Sequence, residues 1–160
     1  MPDDPPVLPL DPDVELGGTV DGEPGEPSRT APALLAVIAA GGMLGSAARY
    51  GIARGLPVEP GRFPWATFGT NLAGSFVLGL LLAVLLERFP GFRHGTLLRA
   101  FAGTGILGAF TTMSTYEVEV ALLLRDGHPA IAALYAVGSL VAGLVLAAAG
   151  LRVGRVGVAR

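Results

Sequence analysis

The sequence predicts an all-α membrane protein with four transmembrane helices, and two observations lead to this fold class. Hydrophobic residues make up 51% of the 160 residues and charged residues only 15%, whereas about a quarter of the residues in a soluble domain are charged. Four stretches also run without a charged residue for 17 to 24 positions, close to the roughly 20 apolar residues that cross a bilayer as a helix. The length fits one domain.

The predicted helices follow these uncharged stretches in chain order. The stretches are residues 30–48, 63–86, 100–116 and 129–151. We expect the first helix to continue past Arg49 to Gly55, and the third to continue through Glu117 and Glu119 to Leu124. The predicted connections are residues 56–62, 88–99 and 125–128, which are too short to contain a further domain.

Residues 1–30 are predicted to form a disordered tail that is acidic and rich in Pro and Gly. Eight of the 13 acidic residues lie within positions 1–26, and this stretch has almost no aliphatic clusters to bury. It lacks the basic start and early apolar core of a signal peptide. We therefore place the helical domain at residues 31–155, followed by a short basic tail at 156–160.

The arginine distribution predicts an orientation in the membrane. One side carries Arg54, Arg62 and Arg125, and the other carries seven arginines, namely Arg29, Arg88, Arg93, Arg99, Arg152, Arg155 and Arg160. Because basic residues favour the cytoplasmic side, we expect both termini in the cytoplasm. The expected location is the inner or plasma membrane of the cell.

The sequence contains no arrangement of residues typical of catalysis. It has no cysteine, no nucleophile–base set, no carboxylate pair and no phosphate-binding loop. His94 and His128 lie in predicted loops without a partner at metal-ligand spacing. A basic nucleic-acid patch is also absent. We therefore predict no catalytic residue, no enzyme and no nucleic-acid partner.

The third apolar stretch has an unusual centre, GTGILGAFTTMSTYEVE at residues 103–119. Glycines leave the backbone unrestrained there, and four hydroxyl side chains follow at Thr111, Thr112, Ser114 and Thr115. Hydroxyl groups can bind freed backbone groups, so the pattern predicts a helix break within residues 108–112. Transport proteins place ion sites at such breaks. The alternative is a continuous helix packed through small residues.

Two further stretches carry polar side chains at four-residue spacing. Thr67, Asn71 and Ser75 share one face of the second helix, and Tyr135 and Ser139 share one face of the fourth. An amide inside a span is costly unless it is hydrogen-bonded. These faces therefore line a pore or bind neighbouring helices.

Arg49 ends the uncharged part of the first helix. Its guanidinium either reaches back to the membrane surface or sets a positive potential that attracts anions to a pore mouth.

Three motifs together resemble the CrcB/Fluc fluoride channel family. GGMLGSAARY is similar to the family motif GGxxGAxxRY, and FPWATFGTNLAGSFVLG is similar to FPxGTLxxNxxGSFxxG, with Ala66 in place of a usual Gly. GILGAFTTMSTYEVE is similar to GxxGGxTTFSTFSxE, with Ala109 in place of a usual Gly. The resemblance covers about residues 36–151.

The resemblance implies an antiparallel, dual-topology dimer that exports fluoride from the cytoplasm through two pores. Asn71 matches the pore Asn and Arg49 the vestibule Arg, while Gly108 and Thr111 fall where backbone carbonyls hold a structural sodium ion. The expected partners are fluoride, the lipid bilayer and an identical or homologous subunit. The predicted pore residues are Thr67, Asn71, Ser75, Met113, Ser114, Tyr116, Tyr135 and Ser139, and the predicted vestibule residues are Arg49 and Glu119.

Met113 and Tyr116 stand where the family carries two pore phenylalanines. A phenyl ring presents a positive edge to an anion; Met113 has no such edge, whereas Tyr116 keeps the ring and adds a hydroxyl. One alternative is therefore a non-conducting subunit that completes a heterodimeric channel. Another is a small four-helix drug/proton antiporter, which needs an ionisable acid inside a span; residues 30–48 and 63–86 contain none.

Overall fold

The computed structural model describes residues 31–85 and 95–156, and all regular structure in these ranges is helical. The elements in chain order are α1 (Ala31–Gly55), α2 (Trp65–Ala83), α3 (Gly95–Leu98), a π-helix (Arg99–Leu107), α4 (Gly108–Phe110), α5 (Met113–Arg125) and α6 (Pro129–Val156). Within the described ranges, three continuous helices are long and apolar enough to cross a bilayer: Pro32–Gly55, Trp65–Ala83 and Pro129–Val156. The predicted tail at 1–30, positions 88–94 of the second connection with His94, and residues 157–160 lie outside the described ranges.

The helix boundaries differ from the predicted ones at places where a charged residue was taken as the end of a helix. The third segment begins at Gly95, inside the connection predicted at 88–99, and α6 runs on to Val156 through Arg152 and Arg155. An arginine ends an apolar stretch but does not interrupt backbone hydrogen bonding. The helices therefore extend beyond the uncharged residues. α2 begins at Trp65, directly after Pro64.

The third segment is not one continuous α-helix. The π-helix is followed by the single turn of α4, and then Thr111 (φ −77°, ψ 158°) and Thr112 (φ −148°, ψ 125°) adopt extended conformations before α5 begins. The interruption is narrower than the predicted range of 108–112, because Gly108–Phe110 still form a helical turn. The π-helix was not predicted; such helices are rare and are frequent at functional sites.

The helices pack in two main pairs, α2 with α6 and α1 with the π-helix. Both contacts bring backbones directly together at glycines. A Cβ atom at Gly150 would collide with the carbonyl oxygen of Phe76, and one at Gly45 with the carbonyl oxygen of Ile106. Small residues therefore set the distance between the helices in each pair, as in other membrane bundles.

A buried cluster joins α2, α5 and α6 near the first residues of α2. Leu123, Ala132 and the fully buried Tyr135 form its centre, with Phe63 and Phe68 packed against them. This packing turns the polar face of α2 toward α5 and so positions the candidate site.

Candidate functional site

Asn71 of α2 bridges the interruption in the third segment. Its Nδ2 donates a hydrogen bond to the Thr112 carbonyl oxygen (2.9 Å), and its Oδ1 accepts one from the Thr112 N–H (2.8 Å). A backbone group without a partner is costly in an apolar surrounding. An amide side chain both donates and accepts, so Asn71 stabilises the extended conformation of Thr112.

The interruption also changes the partners of two carbonyl oxygens. In a continuous helix the carbonyls of Gly108 and Thr111 would accept from the N–H groups of residues 112 and 115. Here the Thr112 N–H donates to Asn71, and the Thr115 N–H donates to the Thr112 hydroxyl (3.2 Å). Both carbonyls predicted to bind sodium therefore have their α-helical N–H donors directed elsewhere.

Thr112 also begins α5 as its N-cap residue. Its Oγ1 donates to the Thr115 hydroxyl (3.0 Å) and lies 3.4 Å from the Ser114 hydroxyl. Thr111 directs its own hydroxyl to the Leu107 carbonyl (2.9 Å). Ser114 is exposed at the start of α5, so the structure places it beside the interruption rather than in an enclosed space.

A cavity of 320 Å³, here called the central cavity, adjoins the interruption. It brings together the predicted pore residues Asn71, Ser75 and Met113 with the predicted sodium ligands Gly108 and Thr111. Met113 forms its outer edge and is 65% exposed. None of the residues that line this cavity is charged.

A smaller cavity of 90 Å³, here called the arginine cavity, also adjoins Thr112. Arg49 borders it together with Thr67, Thr70 and Thr115. Thr112 lines both cavities. Four threonines line this cavity with Arg49, an arrangement compatible with the electrostatic interpretation of Arg49.

Glu119 connects three helices through its carboxylate. The Thr67 hydroxyl donates to Oε1 (2.8 Å), and the Tyr135 hydroxyl donates to Oε2 (2.7 Å). Thr67 is buried and Tyr135 is fully buried. Glu119 also borders a third cavity of 310 Å³ between the α1–α2 connection and the α5–α6 turn. Two predicted pore residues and one predicted vestibule residue thus form a single bonded group.

Tyr116 and Ser139 lie outside these three cavities. The Tyr116 hydroxyl donates to the Ala136 carbonyl (3.2 Å), and its ring centroid is 5.1 Å from that of Tyr135. The Ser139 hydroxyl is buried, and the described part of the chain offers it no hydrogen-bond partner.

Sequence reasoning missed two of these features for different reasons. The Asn71–Thr112 bridge joins residues 41 positions apart, and no local pattern records such a pairing. The role of Glu119 had a signal, because an acid inside an apolar segment must be paired or hydrogen-bonded. This rule predicts that Glu119 has hydrogen-bond partners, but it does not identify them as Thr67 and Tyr135.

Comparison with known proteins identifies the family. Residues 36–151 match the family described as CrcB-like protein, Camphor Resistance (CrcB). The fluoride-specific ion channel FluC 3 of Streptomyces avermitilis is 45% identical over 133 residues, which cover 83% of this chain and 64% of the relative. FluC 2 of Nocardia farcinica is 48% identical over 73% of this chain and 78% of its own length, and FluC of Thermus thermophilus is 44% identical over 74% and 91%. Because the family match runs from α1 to α6 and includes both cavities beside the interruption, the chain belongs to the CrcB-like family.

Proposed function

We propose that this chain is a fluoride-selective ion channel, or a subunit of one, that exports fluoride from the cytoplasm and relieves its toxicity. The names of the relatives support the choice of ion. The observation that carries the proposal is the Asn71–Thr112 bridge. It fixes an interrupted backbone that borders both an uncharged cavity and a cavity lined in part by an arginine.

The residues around the bridge suit a small, strongly hydrated anion. Asn71 donates one N–H of its NH₂ group to the Thr112 carbonyl. The second N–H of this group remains as a donor for an ion. The Thr67 and Thr70 hydroxyls donate to Glu119 and to the Ala66 carbonyl. Donors for an ion in the arginine cavity therefore come from Arg49 and Thr115.

The two cavities differ in fixed charge, and this difference favours release of the ion. Arg49 borders the arginine cavity, while the lining of the central cavity is neutral. A cation fixed in the central cavity would hold fluoride strongly, whereas conduction needs several weak sites. This arrangement supports passive conduction. The antiporter alternative receives no support from the family comparison.

In the membrane, we propose four spans, with the interrupted third segment (95–125) at membrane depth and both termini in the cytoplasm. Irregular backbone is tolerated at that depth only where protein or a cavity surrounds it, and Thr111 and Thr112 border the central cavity. The proposed assembly is an antiparallel, dual-topology dimer in the inner or plasma membrane.

The carbonyl oxygens of Gly108 and Thr111 fit a sodium ion, because both lack their helical donors and unwound carbonyls coordinate sodium in other membrane proteins. Two oxygens do not complete the shell of a cation, so we propose that a second protomer supplies the same pair. A bound ion would neutralise the partial charges of these carbonyls and hold the protomers together.

Reconstitution in liposomes tests the proposed function. Vesicles loaded with fluoride or with chloride are diluted into a medium without these halides, and efflux is followed with ion-selective electrodes. We expect rapid fluoride efflux and no chloride efflux under at least one of two conditions, which are this chain alone and this chain with a homologous subunit. Equal efflux of the two ions, or no efflux under either condition, contradicts the proposal.

A further inference from the structure

Three aromatic rings form a cluster where α2 begins. The ring centroids of Phe63 and Trp65 are 4.5 Å apart, those of Phe63 and Phe68 are 5.1 Å apart, and those of Trp65 and Phe68 are 5.9 Å apart. Trp65 is nevertheless 65% exposed. An exposed indole at the first residue of a membrane-length helix lies at the depth where such proteins meet lipid head groups.

The same three rings line a groove against α6. Leu134 and Gly138 form its other wall, and the groove has a volume of 330 Å³. The surface that these residues present to the groove is apolar. This aromatic groove has the chemistry of a site for a hydrocarbon chain.

Phe63 and Trp65 also border a second, open space of 510 Å³ beside the α1–α2 connection, with both apolar and charged residues in its lining; it is here called the head-group pocket. Glu59 and Arg62 line it, and the Arg62 Nε lies 3.1 Å from a carboxylate oxygen of Glu59. Both side chains are more than two-thirds exposed. An ion pair so exposed contributes little to stability, so either side chain can bind another charged partner at little cost.

We infer that the groove and the pocket together bind one phospholipid with a primary-amine head group. An acyl chain occupies the aromatic groove, the phosphate contacts Arg62, and the ammonium group contacts Glu59. Two opposite charges side by side match a zwitterion better than an anionic head group, whose charge would face Glu59. A trimethylated amine has no N–H to donate, so phosphatidylcholine binds more weakly.

The indole of Trp65 adds a polar group at the boundary between the two spaces. It lines both of them, and the described part of the chain gives its N–H no acceptor. An indole N–H is a donor only. It is therefore placed to bind the phosphate or the glycerol ester, where the head group joins the chain.

Native mass spectrometry of the full chain in detergent tests the inference directly. The protein is titrated with dioleoyl phosphatidylethanolamine, and separately with the choline and glycerol phospholipids that have the same acyl chains. We expect about tenfold tighter retention of phosphatidylethanolamine, the size of one charge-assisted hydrogen bond. Equal retention of all three lipids overturns the inference.

Two glycine substitutions form a matched pair for the groove. A Cβ at Gly138 or at Gly69 meets nothing within 4 Å, so leucine fits at either position. Gly138→Leu fills the groove and should reduce retention of every lipid about tenfold, whereas Gly69→Leu lies outside the groove and should not change it. Unchanged retention by Gly138→Leu contradicts the inference.

Further substitutions separate the head group from the acyl chain. Glu59→Gln and Arg62→Gln should remove the preference for ethanolamine while retaining the weaker acyl binding. If Gly138→Leu reduces the dimer fraction while lipid retention stays unchanged, a second copy of the chain occupies the groove and the inference is wrong. These measurements do not use fluoride flux, so they remain valid whether or not the proposed function holds.

Discussion

Asn71 is the residue whose side chain the interruption depends on most directly, because it pairs both backbone groups of Thr112. A hydrophobic side chain of similar size would fill the same space and leave the N–H and the C=O without partners. Each unpaired group in an apolar surrounding costs about 1–3 kcal/mol. We therefore expect substitutions of Asn71 to affect both the stability of the fold and the proposed fluoride conduction.

We predict that Asn71→Leu lowers the thermal unfolding temperature in detergent and abolishes fluoride efflux. Asn71→Asp keeps the acceptor for the Thr112 N–H but sets an oxygen against the Thr112 carbonyl, so its stability should be intermediate. Ser75→Ala is the matched control, since Ser75 lines the same cavity and no hydrogen bond of its side chain occurs in the described part of the chain. An Asn71→Leu protein as stable as Ser75→Ala would contradict the bridging role.

Tyr135 is the second residue with a measurable contribution. It is fully buried, and its hydroxyl donates to Glu119 at 2.7 Å. Tyr135→Phe removes this donor and should cost about 1.5–3 kcal/mol, the usual value for a hydrogen bond to a charged group.

The control for Tyr135→Phe is Tyr50→Phe. Tyr50 is 64% exposed, and its hydroxyl accepts a 3.3 Å hydrogen bond from Arg54. Its loss should change stability by less than about 0.5 kcal/mol. Chemical unfolding of the two variants side by side measures the difference, and equal midpoints would show that the Glu119 contact contributes nothing.

At the scale of elements, the contact between α1 and the π-helix depends on the absence of side chains. The Cα of Gly45 faces the Ile106 carbonyl so closely that a methyl group cannot be inserted. This contact holds the interrupted segment against α1. The position of the π-helix next to the interruption is therefore fixed by its contact with α1.

We predict that Gly45→Ala destabilises the protein by about 1–3 kcal/mol or more, the usual cost of overpacking. Gly51→Ala lies in the same helix, where a Cβ meets nothing within 4 Å. That control should be neutral or slightly stabilising, because alanine restricts the unfolded backbone. Thermal unfolding and gel filtration of both variants test this, and equal behaviour would exclude the close contact in solution.

From the interruption we predict that sodium raises the unfolding temperature of the protein. If the carbonyls of Gly108 and Thr111 bind sodium in the folded state but not in the unfolded state, sodium stabilises the fold by mass action. The unfolding temperature should rise with sodium concentration and stay constant in N-methylglucamine at equal ionic strength. An identical unfolding temperature in both salts would argue against the site.

At the scale of the whole molecule, the chain combines two features that bear on its assembly. Seven arginines against three favour one orientation, whereas an antiparallel homodimer needs both. Met113 and Tyr116 also replace the two phenylalanines expected at these positions. We hypothesise that the chain works mainly as one half of a heterodimer.

The test is reconstitution of the chain without a homologue, for which we predict slow fluoride efflux. Addition of a homologous subunit with both phenylalanines should raise the rate. Met113→Phe is the more informative single variant, because Met113 is 65% exposed, whereas Tyr116→Phe would also remove the bond to the Ala136 carbonyl. Rapid efflux from dimers of this chain alone would refute the heterodimer hypothesis.

Much of the architecture was accessible from the sequence because it depends on local chemistry. Apolar length predicted the positions of α1, α2 and α6, and glycines followed by hydroxyl residues predicted an irregular backbone near Thr111. The charge rule misplaced the start of the third segment, since Arg99 lies inside a helix. The π-helix was not predicted because no pattern of residue types distinguishes its hydrogen bonding from that of an α-helix.

The sequence by itself determined the membrane class, the family and the residue types that the site contains, since composition, apolar length and motifs are properties of the chain. Only the tertiary structure decided which groups bind one another: Asn71 with Thr112, and Thr67 and Tyr135 with Glu119. These partners lie on different helices, and a polar side chain in an apolar segment specifies that it needs a partner but not which one. The packing of α2 against α5 and α6 makes that choice.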